Sequence, residues 1–216
     1  MSVTSKRRKS RRAFWMKQLH QWHWMSSAIS LIGLLLFAIT GITLNHAADI
    51  EGSPKVVERQ AQLPAALLPA VAAREDDGEG AGDDEKKPLP APVAAYLGKA
   101  LALDAHGVAE WSADEIYLAL PRPGGDGWVS IDRASGAVTN EITDRGWISY
   151  LNDLHKGRNA GTAWKWSIDI FAVAFVIFAA TGLVLLQIHS ARRPSTWPLV
   201  GLGLAIPALV AIFFIH

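Results

Sequence analysis

The sequence predicts an α-helical membrane protein with three transmembrane helices and a small periplasmic α+β module inserted between helices 1 and 2. Three observations lead there. Apolar runs over about 22–44, 166–188 and 197–214 each approach the roughly 20 residues that a bilayer-spanning helix needs. Lys6, Arg7, Arg8, Lys9, Arg11, Arg12 and Lys17 precede the first run, and Arg192-Arg193 separate the last two, so both clusters stay cytoplasmic by the positive-inside rule. Between the first two runs, short alternating segments are punctuated by Gly and Pro, as in strands joined by turns.

The elements follow in order. Residues 1–21 form a basic cytoplasmic N-terminus. A solvated topology signal touching anionic lipid explains that charge better than nucleic-acid binding does. Residues 22–46 form the first span. Its apolar core is long for a signal peptide, and His46-Ala47-Ala48 is a poor cleavage site, so it reads as an uncleaved anchor. Residues 47–90 read as a flexible periplasmic linker, with Pro54, Pro64, Pro69, Pro88 and Pro90 and an acidic, Gly-rich run over 75–85. One short helix over 61–73 is expected within it.

Residues 91–145 form the α+β module. Val93, Leu97 and Leu101 have helical spacing, 115–120 and 128–132 alternate as strands across the turn at 123–127, and Ser135-Gly136 turns into a third strand over 137–142. So small a core is expected to lean on the membrane helices or a partner. Residues 146–164 form an interfacial segment, 165–189 the second span, 190–196 a cytoplasmic loop and 197–216 the third and shortest span, which ends in the periplasm. Trp15, Trp22, Trp24, Trp164, Trp166 and Trp197 bracket the spans where an aromatic belt sits.

There is no cysteine, which excludes disulfides, thiolate metal sites and iron–sulfur clusters. No GxGxxG, phosphate loop, Ser-His-Asp set or pair of catalytic carboxylates supports nucleotide-driven transport or hydrolysis.

The first two spans share a pattern. Leu19-His20 and Leu154-His155 lie upstream, Phe37-Ala38-Ile39-Thr40-Gly41 and Phe178-Ala179-Ala180-Thr181-Gly182 close the apolar helices, and His46 and His189 follow. Consecutive copies cross the bilayer in opposite directions, so the early His of one shares a face with the late His of the other. This gives an inner pair, His20 or His23 with His189, and an outer pair, His46 with His155. Two neutral imidazoles from facing helices are what a bis-histidine haem requires, so one or two haem b groups are the expected cofactor. Against this, His also suits a membrane interface with no ligand role. His23 and His46 are about 35 Å apart along a helix at 1.5 Å per residue, which is long for two haems in direct contact.

Arg145, Asn152, Asp153, Lys156 and Arg158 surround His155 in sequence and offer hydrogen bonds to haem propionates or an anionic substrate, with Arg158 the leading candidate. Asp169, an acid near one end of the second span, is a functional candidate by its location. Thr40-Gly41 and Thr181-Gly182 are small enough for close helix packing, which is their expected task. His106 and His216 are given no role.

Several of these stretches resemble the PepSY-associated transmembrane family, and in particular a small three-helix PepSY-TM-like subgroup. They are Leu19-His20-Gln21-Trp22-His23-Trp24, Thr40-Gly41, Leu151 to Arg158, and the strand–Asp–Gly-turn over 129–138. The resemblance covers most of the chain outside the acidic run. It implies a PepSY-like module facing the periplasm of a bacterial inner membrane. Larger relatives, with at least four spans, include haem-carrying reductases of iron–siderophore complexes.

The expected function is therefore that of a haem-binding redox protein in the lipid bilayer, passing electrons to a periplasmic acceptor such as a ferric chelate or siderophore. With no nicotinamide or flavin domain, a quinone or a partner protein must be the donor. The competing expectation is a non-catalytic anchor whose PepSY module binds or restrains an envelope protein. The histidines separate the two, because an anchor needs none.

Overall fold

The computed structural model describes residues 3–50, 52–72 and 85–215, with side chains from residue 10 onward. Most of the acidic run lies outside the described residues. The elements run α1 (Val3–Asn45), β1 (Lys55–Gln62), β2 (Glu85–Pro88), α2 (Ala91–Leu101), β3 (Val108–Trp111), β4 (Glu115–Ala119), β5 (Gly125–Asp132), β6 (Ala137–Asp144), α3 (Trp147–Lys156), α4 (Gly161–His189) and α5 (Thr196–Phe214). Three helical stretches, Ser10–Asn45, Gly161–Arg192 and Thr196–Phe214, are long and apolar enough to cross a membrane, which makes this a multi-pass membrane protein. The chain divides into two compact units, residues 1–37 with 166–216, and residues 38–165.

In the first unit α1 carries a stripe of small residues toward α4. Ser26 and Ser30 are buried, and a Cβ on Gly33 would lie 2.9 Å from the Phe171 ring. Phe37 meets Phe175 edge to face, with centroids 6.5 Å apart. With lipid as solvent, association rests on such close packing. Gly33→Ile must displace Phe171, and is expected to lower the thermal unfolding midpoint of the detergent-purified protein by several degrees, whereas Leu31→Ile on the exposed side should leave it unchanged. α5 buries none of its side chains in this chain; Leu204 and Phe214 are 75% and 78% exposed. The helix at the N-terminus begins well before the apolar run, at Val3, because Lys and Arg are good helix formers and no Gly or Pro interrupts them.

The second unit holds a six-stranded antiparallel sheet in the order β1-β6-β5-β4-β3-β2. Its inner face is set by alternation. Ile116, Leu118, Val129, Ile131 and Val138 are essentially inaccessible, and Val93, Leu97 and Leu101 of α2 join the same cluster. Each such side chain contributes about 1.5–3 kcal/mol when fully buried. The opposite face carries Tyr117, Trp128 and Ser130.

The reading of 47–90 as a flexible linker is corrected over most of the described part. Lys55–Gln62 pairs along its whole length with β6, from Lys55 opposite Asp144 to Gln62 opposite Ala137. Glu85–Pro88 pairs with β3 at the other edge. Leu63 and Val71 are buried in the core, and instead of a helix over 61–73 there is the end of β1 and one 3₁₀ turn, Leu68–Ala70. Arg133 fixes this segment: its buried guanidinium donates to the carbonyls of Val71, Ala72 and Ser112. The module is therefore larger than the segment 91–145, and the expected three strands are six.

At the β5–β6 turn, Asp132 accepts from both the hydroxyl and the N–H of Ser135, which holds its carboxyl below the usual carboxylate range. Gly136 follows at φ +72°. A Cβ there would lie 2.2 Å from Leu68, so the turn requires glycine on both counts. The segment 146–164 contains α3 and the first residues of α4, which begins at Gly161, ahead of the expected 165.

Candidate cofactor site at His23 and His189

In the first unit, a cavity of about 510 Å³ is lined by His23, Gly182, Leu185, Leu186, His189, Arg192, Arg193 and Thr196. It brings together one early and one late histidine of the sequence repeat. His20 does not line it; its ring is exposed, and Nδ1 donates 2.8 Å to the carbonyl of Met16. Of the two candidates on α1, His23 is thus the one that lines the same cavity as His189.

Hydrogen bonds fix which nitrogen each ring presents. The Thr181 hydroxyl gives its single proton to the helix backbone, 2.7 Å from the Ile177 carbonyl and 3.0 Å from that of Phe178. Toward His23 Nδ1, 2.9 Å away, a hydroxyl whose proton stays on that backbone acts as acceptor, which places a proton on Nδ1. A neutral His23 has its lone pair on Nε2. At His189, Nδ1 lies 2.8 Å from the carbonyl of Leu185, which likewise only accepts. In each ring Nδ1 is thus tied to an orienting partner and Nε2 has no such partner among these contacts.

Arg192 and Arg193 add two positive charges at the rim and suit carboxylates. Among the described residues, no three His, Asp or Glu side chains are grouped to hold a bare metal ion. A macrocyclic iron complex asks for no more than two protein ligands, because its ring supplies the remaining nitrogens.

In the second unit, His155 meets the Thr-Gly pair of α1. Its Nδ1 is 2.7 Å from Thr40 Oγ1, and its Cε1 would be 3.6 Å from a Cβ on Gly41. His46 is six residues further along and exposed, with Nδ1 3.0 Å from the carbonyl of Ile42. Arg145, just before α3, and Asn152 and Asp153 within it have structural partners. The Asp153 carboxylate accepts from the N–H of Gly124, 2.9 Å away, and Asn152 bonds the Thr43 hydroxyl at 2.8 Å. Arg145 pairs with Asp126. Arg158 is exposed, and its N–H closes α3 on the carbonyl of Asp153 at 2.8 Å. Asp169 is exposed on α4.

Sequence reasoning missed what the Thr-Gly pairs touch. Each receives the histidine of the other repeat: Thr181-Gly182 receives His23, and Thr40-Gly41 receives His155. The equivalent of His155 is thus His23, three residues after the Leu19-His20 match. The signal available was the motif itself, since Thr-Gly occurs twice in the same frame behind Phe-Ala.

Three apolar helices, a helix-backed antiparallel sheet between the first two, and a repeated His/Thr-Gly pattern now stand together. Searches against curated proteins and solved structures gave no match. The PepSY_TM-like family model matches residues 14–216, from the first turns of the first span to the end of the chain. The chain therefore belongs to the PepSY_TM-like family.

Proposed function

We propose that this protein is a haem-binding redox protein of the bacterial inner membrane, with His23 and His189 as axial ligands. The observation that supports the reading best is the cavity of about 510 Å³ lined by both His23 and His189, each with Nδ1 held by a neighbouring oxygen. A haem iron would supply one-electron transfer. The chain's own residues would do the rest. His23 and His189 would hold the iron, Leu185 and Leu186 would exclude water, and Arg192 and Arg193 would pair with the propionates. Such burial and hydrogen bonding set the potential.

In the proposed orientation the N-terminus and Arg192-Arg193 are cytoplasmic, so this site lies at the inner leaflet, where a quinone or partner protein can reduce it. The sheet module and the C-terminus are periplasmic. The acceptor is a periplasmic ferric chelate or siderophore. His155 on Thr40-Gly41, with His46 and Arg158 nearby in sequence, is the candidate for a second, outer site.

Two experiments test this reading. Titrating haem into the detergent-purified protein should give a saturable Soret band with at least one haem per chain; a purely linear, unsaturable rise would reject the site. Reporter fusions after residue 84 and at the C-terminus should both read the outer compartment. A cytoplasmic signal at residue 84 would overturn the orientation.

The second reading, a membrane-anchored module for an envelope partner, draws on the open face of the sheet. Tyr117 and Trp128 stack there with centroids 6.1 Å apart. Partial burial and then the surrounding Asp126, Glu110, Glu115 and Glu141 push the Tyr117 hydroxyl's pKa up. An aromatic pair in a negative field suits a basic partner segment. Retention of that partner by a protein that binds no haem would favour this reading.

A further inference from the structure

We propose that Phe-Ala-x-Thr-Gly is an imidazole cradle, in which Thr181 is a positioning residue that fixes His23 as the Nδ1–H tautomer and so determines that Nε2 faces the ligand. The inference rests on the haem reading only for what Nε2 binds; the cradle itself is a matter of protein geometry.

Three residues of one motif hold three parts of one ring. Phe178 stacks on the His23 ring, with centroids 5.0 Å apart and planes 16° from parallel. Thr181 Oγ1 lies 2.9 Å from Nδ1. Gly182 leaves room at the ring edge, where a Cβ would already lie 3.4 Å from His23 Cε1. These positions fall at i, i+3 and i+4 of α4, so they share one helical face. The spacing of the motif follows from the ring it must hold.

The direction of the hydrogen bond follows when the Thr181 proton stays on its own helix. A threonine within an α-helix satisfies its hydroxyl proton on the preceding turn, as Thr181 does on Ile177 and Phe178. Only its lone pairs then point outward. An outward lone pair accepts N–H and repels a bare imidazole nitrogen. A helical threonine facing a histidine therefore selects one tautomer, which a serine can also do and a valine cannot. Close packing alone would need only small residues at 181 and 182. It would not require a hydroxyl, nor a phenylalanine one turn before it.

The second copy repeats the threonine and glycine contacts. Thr40 Oγ1 lies 2.7 Å from His155 Nδ1, and Gly41 faces the same ring at 3.6 Å from Cε1. The recurrence on a different histidine, in the other unit of the chain, argues that the motif serves the ring and not one local packing accident.

The test uses the full-length protein in micelles, prepared without haem and labelled with ¹⁵N-histidine. His23 is assigned by its loss in His23→Ala. In the wild type the His23 signals should report the Nδ1–H tautomer. Thr181→Ser should retain them. Thr181→Val, isosteric but unable to accept, should lose them in favour of the Nε2–H form, and Thr181→Ala should do the same if the valine variant does not fold. With haem added, Thr181→Val should bind about 10- to 100-fold more weakly than wild type, as loss of an orienting partner does, and Thr181→Ser should restore affinity. An unchanged tautomer in both Thr181→Val and Thr181→Ala overturns the cradle. A tautomer shift in a protein that takes up no haem keeps the cradle and removes the haem reading, so the two failures are distinct.

Discussion

Replacing His189 with alanine should abolish the low-spin haem spectrum of the purified protein, and replacing His23 should do the same. Each change removes one of the two proposed ligand imidazoles from the cavity that both line. Removing one ligand of a six-coordinate haem leaves an open position, so the expected product is a high-spin or haem-free protein, with affinity lowered at least about 100-fold, beyond the range seen for orienting residues. His20→Ala is the informative neighbour. It lies one turn from His23 but points its Nδ1 at its own backbone and lines no part of the cavity, so its spectrum should be that of the wild type. His46→Ala and His155→Ala should affect only an outer site. His106→Ala, on the sheet module, should change nothing. Absorption spectra of the six variants, recorded at equal haem loading, decide among these outcomes. A full low-spin spectrum in His189→Ala would exclude His189 as a ligand.

The largest loss of stability is expected from the core of the sheet module. Ile116 is completely buried on β4, packed among Leu97, Leu118 and Val129 in one apolar cluster. Ile116→Ala removes its transfer energy and leaves a cavity, together about 3 kcal/mol, within the range of about 2–5 for such truncations. Domains are stable by only about 5–15 kcal/mol, so this is a large fraction of the total. Denaturant unfolding followed by the fluorescence of Trp111 and Trp128 measures it, and Tyr117→Ala on the opposite face should cost much less. A loss below about 1 kcal/mol for Ile116→Ala would mean that the module does not share a single core.

The spans were legible because a run of about 20 apolar residues has few alternatives to crossing a bilayer. Strands β4, β5 and β6 were legible because their inner and outer residues alternate, as Ile116, Leu118, Val129 and Ile131 do. β1 and β2 were not. Lys55–Gln62 is exposed nearly throughout, and Glu85–Pro88 carries no buried side chain. Such edge strands are held by backbone pairing to β6 and β3, and a ladder supplied by a partner strand leaves no hydrophobic period in the strand that joins it. Proline and charge then imitate a linker, and these are also features that edge strands use to avoid pairing with other chains.

At the candidate site, the repeat located the right helices and motifs but not the right contacts. Leu19-His20 matched Leu154-His155 letter by letter, yet His23 is the residue that meets Thr181. The bond joins positions 158 apart, and nothing local to either records it. The polar cluster around His155 was legible as a cluster but not as structure: Asp153 is spent on the N–H of Gly124, and Asn152 on Thr43. Those partners come from the sheet module and from α1, each far away in sequence.

One measurement tests the central claim most directly: the visible spectrum of the full-length protein, expressed with ample haem, purified in detergent, and recorded before and after dithionite. The account predicts a Soret band and, on reduction, the sharp α and β bands of low-spin bis-imidazole haem, at a stoichiometry of one or two per chain. A colourless protein that stays featureless after haem is added would contradict it, and would leave the membrane-anchored PepSY module as the reading that stands.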